Sequence, residues 1–274
     1  MNRDRLSPFT TALVLTGAAI MVAPLVWTLL LSLKGNAELM RDSGAAFGGP
    51  YTLDNYRAIL RGDMVFRWLL NSLVVSVGTT AGVLVLCSLA GFAFARLDFP
   101  FRRALFVFVL MGLAIPEQAV ILPQHRLFAD LGLHNSYPGL ILPGLVGSFG
   151  VFFMTQYFRG LPRDLDEAAA LDGATTFQIF WRVLLPLTIP AQATLGVFTF
   201  LGSWNAYWWP LISATTSDRF TLTIGLASSQ ANYAQTNGLG YLMAQAVFAS
   251  IPIFIVYIMF QKQIIRAFAG AAVK

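Results

Sequence analysis

Apolar and polar positions fall in long blocks along this chain, not in the short alternation of a half-buried strand. Residues 6–33 carry no charge, and neither do residues 68–95. Runs of this length exceed a core helix and meet the roughly 20 residues that a helix needs to cross hydrocarbon. Four further apolar runs start near Ala104, Tyr137, Pro186 and Tyr241. The pattern predicts an all-α integral membrane protein with six transmembrane helices, in a single domain over 1–274 whose core covers about 68–274. The first span is expected over about 9–33, with a kink at Pro24. The second covers 68–95, the third runs from Ala104 past Pro116, and the fourth extends from Tyr137 to Phe158. The fifth begins near Pro186, and the sixth covers Tyr241 to Phe260 with Pro252 inside it. Arg3 and Arg5 before an apolar run also fit a cleaved signal peptide, but the run is too long and lacks a small-x-small site. A retained helix is expected.

Polar connectors separate these runs. The segment 34–67, read as an external loop, is rich in turn formers, with a short surface helix expected between Tyr51 and Leu60. Residues 213–240 read as a nearly uncharged polar loop that includes Asn232, Gln235 and Asn237. Glu117 ends the third span; a carboxylate is costly in lipid, so it is placed at the interface, facing protein or water.

The connector over about 159–185 carries the densest information. Its core, Leu161 to Pro186, predicts two short helices with a break between them. Pro162 suits a first helical turn, and Asp164, Asp166 and Glu167 place negative charge at the positive end of the helix dipole. Gly173 is the expected stop. Thr175 and Gln178 have capping-box spacing for a second helix, in which Phe177, Phe180, Trp181 and Leu184 are predicted to form one apolar face.

Composition agrees with a membrane protein. Hydrophobic residues make up 57% and charged residues 11%, with a mean hydropathy of +0.67, which excludes an ordinary soluble domain. The single cysteine, Cys87, excludes a disulfide framework, and two histidines nine apart do not make a metal site. The net charge of +5 sits beside spans, so a bilayer and not nucleic acid is the expected partner. With six spans and an inside amino terminus, the inside segments hold Arg3, Arg5, Arg96, Arg102, Arg103, Arg159, Arg163, Arg182, Lys262, Arg266 and Lys274. These are eleven of the 18 basic residues, so both termini and the 159–185 connector are expected in the cytoplasm.

The connector's residues are also specific. Glu167-Ala168-Ala169, three residues, Gly173, nine residues, Val183, one residue and Leu185-Pro186 resemble the EAA loop of bacterial ABC importer permease subunits, with Val183 in place of isoleucine. Asn71-Ser72, Ile115-Pro116, Leu122-Pro123, Trp204-Asn205, Pro252 and the tail Val273-Lys274 resemble the carbohydrate-uptake, maltose-type branch. The resemblance implies the type I ABC importer permease fold, in which this helix-turn-helix couples the permease to an ATPase. Glu167, Ala168, Ala169, Asp172, Gly173, Phe177, Trp181 and Pro186 would then form the coupling element. It further implies a bacterial inner-membrane location, an ATP-binding subunit dimer, a second homologous permease and an external solute-binding protein. The chain has no Gly-x-x-x-x-Gly-Lys loop, so ATP and Mg are expected on the partner ATPase and no cofactor here. No HExxH, paired acidic motif or Gly-x-Ser-x-Gly suggests an intramembrane enzyme. A sugar or sugar-like solute is the expected cargo, with an amino acid, peptide or phosphate ester as the alternative. Trp204 and Asn205 either line the solute path or hold helices together by a hydrogen bond.

Overall fold

The computed structural model describes residues 7–41, 47–61, 64–231 and 238–272, and every regular element among them is helical. Asn232, Gln235, Asn237 and the tail Val273-Lys274 lie outside the described residues. Three helices are long and apolar enough to cross a bilayer unbroken: α1 (Pro8–Ser32), α4 (Met64–Arg96) and α15 (Leu239–Ala272, judged over Leu239–Gln261). Three more candidate spans are bent pairs. Counting each pair as one span gives six.

The bends have local causes. Helix α5 (Arg102–Met111) tightens into a 3-10 turn over Gly112–Ala114; Ile115 is then extended ahead of Pro116, and α6 (Glu117–Asp130) restarts at 102°. A residue before proline is pushed out of the helical region, so the break falls where the sequence requires it. Helices α7 (Tyr137–Ile141) and α8 (Ser148–Gly160) meet at 48° across a 3-10 turn containing Pro143. The segment Thr176–Leu187 and α12 (Ile189–Trp204) meet at 74°, with Pro190 in the first turn of α12.

Prolines within two of the spans do not end their helices. Helix α1 continues through Pro24, and α15 through Pro252. One missing backbone bond does not end a helix that lipid forces to satisfy every other one. The expected loop over 213–240 also contains α14 (Leu222–Ala231), anchored by Leu222 and Ile224, which are buried.

The chain divides into two compact units, Met1–Arg67 with Gly225–Pro252, and Trp68–Ile224 with Ile253–Lys274. In the first, α1 is followed by the short α2 (Asn36–Arg41). The expected surface helix after Tyr51 forms as α3 (Asp54–Leu60), with Asp54, Arg57, Ala58 and Leu60 exposed and Ile59 as its one buried anchor. The buried Lys34 ammonium donates to the Gly48 carbonyl, sits 3.4 Å from Glu38 Oε1 and lies 4.3 Å over the Tyr51 ring. A charge this deep requires such partners. The Asn55 amide ties Ser32 O and Lys34 O at 2.9 Å each.

The second unit has its core among α4, α8, α12 and the 159–185 connector, around Phe92, Met154, Phe158, Phe180, Leu184 and Leu195. Helices α4 and α8 touch at Gly91, where a Cβ would fall 2.6 Å from Met154 Cβ and 3.0 Å from backbone. Small residues permit such approach between spans. Asn71 and Ser72 are clamps: Asn71 Nδ2 donates to Asp218 O and Phe220 O, Tyr137 donates to Asn71 Oδ1, and Ser72 Oγ accepts from Leu222 N.

Candidate functional site

The connector folds as two helices. The first, α9, covers Asp164–Leu171 with Asp164, Asp166 and Glu167 in its first turn. It starts at Asp164 with Arg163 as its cap, so Pro162 precedes the helix and does not occupy its first turn. It ends when Ala174 N–H bonds Ala169 O and Gly173 N–H bonds Ala170 O, both at 3.0 Å. This is a Schellman closure, which places its glycine in the left-handed region. Gly173 has φ +81° and open space around its Cβ position, so glycine is required there by backbone conformation, not by crowding.

The second helix starts as the spacing predicts. Thr175 Oγ1 accepts from Gln178 N–H at 3.3 Å, and Gln178 Oε1 accepts from Thr175 N–H at 2.8 Å. The expectation of a single apolar face fails beyond α10 (Thr176–Gln178). Ile179–Leu184 form a π turn before α11 (Leu185–Leu187). The extra residue in that turn rotates the downstream helix by about 100°. The four aromatic and leucine positions divide between the core and the surface. Phe180 and Leu184 are buried in the core, whereas Phe177 is 67% and Trp181 60% exposed. Those two rings stack on each other, 6.4 Å apart and 12° from parallel. Glu167, Ala168, Asp172 and Pro186 are exposed with them, while Ala169 packs inward.

A contact that the sequence pattern does not reveal holds α9 to the span. Arg96, at the end of α4, places Nε 3.1 Å from Asp166 Oδ2 and donates from Nη2 to Leu161 O at 2.8 Å. The Nε–H is not aligned on the carboxylate, so the pair acts as a charge contact more than a directed hydrogen bond. Seventy residues separate its partners in sequence, so no local signal marks it.

The same unit contains a cavity of about 870 Å³. Its polar lining comes from Thr79, Glu117, Gln124, Ser148, Thr199 and Ser203. Phe128 and Trp209, the latter on α13 (Trp208–Ser213), supply aromatic wall. Glu117 is exposed and is the only charged residue of the lining. Gln124 lies seven residues on along α6, on the same helical face. Thr199 and Ser203 are one turn apart on α12, and among the described residues neither side chain is hydrogen-bonded. By contrast, Thr80, Thr155 and Thr194 bond the carbonyl four residues back. Free hydroxyls on a span are expensive against lipid, so this face suits water or a polar solute.

Trp204 and Asn205 lie at the end of α12 but are not part of this lining. Trp204 is buried, stacks on Phe200 at 5.6 Å, and its carbonyl accepts from Thr223 Oγ1. Asn205 is exposed and donates to Leu201 O of its own helix. His125 and His134 meet with ring centroids 4.5 Å apart; among the described residues no cluster of three or more metal-ligating side chains forms.

The family described as binding-protein-dependent transport system inner membrane component matches residues 84–270. The arabinooligosaccharides transport system permease protein AraQ of Bacillus subtilis is 39% identical over 92% of this chain and 90% of its own length. The diacetylchitobiose uptake system permease protein NgcG of Streptomyces coelicolor is 32% identical over 95% and 86%. The sn-glycerol-3-phosphate transport system permease protein UgpE of Rhizobium meliloti is 30% identical over 93% of each chain. In fold, the chain is similar to a solved bacterial ABC transporter involved in import of the acidic polysaccharide alginate. That match has a TM-score of 0.79 and 21% identity, and it covers 96% and 98% of the two chains. The chain therefore belongs to the inner-membrane components of binding-protein-dependent transport systems, as a multi-pass ABC importer permease.

Proposed function

We propose that this permease forms half of the translocation path for a neutral sugar or oligosaccharide and is coupled through α9 to α11 to a separate ATPase dimer. The observation that carries the coupling assignment is the stacked, exposed Phe177–Trp181 pair beside Glu167, on a helix whose other face is locked into the core. An exposed aromatic pair outside the bilayer is a poor solvent face and a good docking anchor. Glu167, Ala168, Asp172, Gly173 and Pro186 complete that surface, with Ala169 behind it.

In this reading both termini and the coupling helices are cytoplasmic. A second, homologous permease completes the path, an external binding protein delivers the solute, and ATP with Mg binds the partner subunits. Closure of the ATPase dimer draws the two coupling elements together. The Arg96–Asp166 contact and the Phe180–Leu184 anchor pass that motion to α4 and α12 as a rigid body.

The sugar assignment draws on the carbohydrate relatives and on the cavity's amide, hydroxyl and aromatic lining, the groups that suit sugar hydroxyls and ring faces. Glu117, the sole charge there, disfavours the anionic cargo named for the glycerol-phosphate relative. Trp204, buried against Phe200, supports the end of α12, and Asn205, exposed beside it, is the residue whose contact with solute is to be tested. The test is ATP hydrolysis by the reconstituted importer, stimulated by its binding protein loaded with a neutral oligosaccharide or with a sugar phosphate. Stimulation by the neutral ligand, lost in Glu167→Ala, supports the reading; stimulation by the phosphate alone overturns the neutral assignment.

A further inference from the structure

A second cavity, of about 560 Å³, lies at the end of the second unit that carries α9, and it is lined by five arginines: Arg96, Arg102, Arg103, Arg159 and Arg163. No carboxylate lines it. Two of the five are already engaged, Arg96 with Asp166 and Arg102 with Asp98. Among the described residues, Arg103, Arg159 and Arg163 have no acidic partner. Arg159 instead lies 5.1 Å over the Phe106 ring.

Helix energetics do not account for these charges. Arg102 and Arg103 occupy the first turn of α5, which contains no acidic residue of its own, and cations at a helix amino terminus oppose its dipole. Three exposed guanidinium groups without an acidic partner converge on one cavity, an arrangement suited to an anion. Arginine's planar fork matches a phosphate oxygen pair.

The apolar side of the cavity identifies the anion's source. Phe106 and Val107 line it one turn beyond Arg103, and Met111 continues the same α5 face at 58% exposure. Charged groups at a span's end, followed along one face by exposed apolar side chains, match a molecule with a phosphate head and a hydrocarbon tail. Basic pockets between spans bind acidic phospholipid headgroups.

We propose that this cavity binds the phosphate of an anionic phospholipid, with Arg103, Arg159 and Arg163 on the headgroup and an acyl chain along Val107 and Met111. The site adjoins α9, which Arg163 caps and Arg96 contacts through Asp166, and shares no lining residue with the solute cavity.

The test uses the full-length protein in its importer complex, titrated in detergent with phosphatidylglycerol, phosphatidylcholine or inorganic phosphate and followed by native mass spectrometry. Phosphatidylglycerol should bind in preference to phosphatidylcholine. Arg103→Gln with Arg159→Gln should weaken it about fivefold per arginine, or roughly 25-fold for the pair. Arg103→Lys with Arg159→Lys should restore much of that loss. Complex stoichiometry and solute-stimulated ATP hydrolysis should survive in detergent, which separates this outcome from failure of the coupling reading. Equal binding of the two lipids overturns the proposal. Displacement of phosphatidylglycerol by millimolar phosphate assigns the arginines to a free anion and overturns the lipid source. Loss of the ATPase subunit in the glutamine variant, with lipid binding intact, assigns them to a protein interface and also overturns it.

Discussion

The proposed coupling helices and the proposed solute cavity are built on opposite plans. In the coupling element almost every polar backbone group at a turn has a partner: a Schellman closure at Gly173, a capping box at Thr175 and a charge contact from Arg96. Its buried side is close-packed around Phe180 and Leu184. The cavity leaves Glu117, Gln124, Thr199 and Ser203 without partners among the described residues. A part that transmits force must hold one shape, and satisfied hydrogen bonds with dense packing provide that. A part that passes solute must not hold it tightly, and unpaired hydroxyls and amides can exchange water for sugar at little net energy.

Breaking the rigid part should have the largest effect. Gly173→Asp puts an L-residue at φ +81° with no steric contact to blame, a backbone cost of about 1 kcal/mol. The complex should still insert, but each ~1.4 kcal/mol lost at the ATPase interface lowers coupling about tenfold. Glu167→Ala should act alike in transport while leaving thermal stability within about 1 kcal/mol, since its dipole contribution is small. Uptake and ATPase stimulation at wild-type levels in both variants would refute the docking role.

A smaller loss is expected when the link between coupling helix and span is cut. Arg96→Gln leaves Asp166 without its counter-charge. Because Asp166 is partly exposed, the cost is roughly 2 kcal/mol, below that of a fully buried pair. Thermal unfolding of the complex measures it. Asp166→Asn should cost less, because a neutral amide can still approach the guanidinium.

Changes in the cavity should alter affinity and leave coupling intact. Glu117→Gln or Ser203→Leu is expected to shift the apparent KM for uptake by about two- to tenfold, the worth of one hydrogen bond. The maximal ATPase stimulation should not move. Ser203→Cys should react with a water-soluble thiol reagent and be protected by solute, against a silent background because Cys87, the sole cysteine, is buried. A Ser203→Cys protein that resists labelling would remove Ser203 from the aqueous path.

The smallest effect is expected at Asn205→Leu. The amide's visible bond is to its own helix, worth about 1 kcal/mol at most. A KM change of more than about threefold, near 0.7 kcal/mol, would place Asn205 on the path. Unchanged uptake would leave it a helix-end bond.

The two regions also differ in how much the sequence discloses. The helix stop at Gly173, the cap at Thr175 and the acidic first turn are local features, set by residues within four positions of one another. Each formed as its spacing predicts. The split of Phe177 and Trp181 from Phe180 and Leu184 was not legible, because a π turn has no composition signal and is chosen by what the helix packs against. The cavity was hardly legible at all. Its lining comes from α4, α6, α8 and α12, and an isolated serine or threonine in an apolar run looks the same whether it bonds backward or faces a cavity.

Hydropathy runs, breakers and charge spacing determined the six apolar spans, the helix-turn-helix between the fourth and fifth, and the side of the bilayer on which it is proposed to lie. These depend on the chain's contact with solvent and lipid, which acts on every residue singly or over one helical turn. Tertiary structure alone decided which aromatic residues face outward, that Arg96 meets Asp166 across seventy residues, and that five arginines share one cavity. Those outcomes depend on how helices distant in sequence fill each other's surfaces, and packing at interior density couples all of them at once.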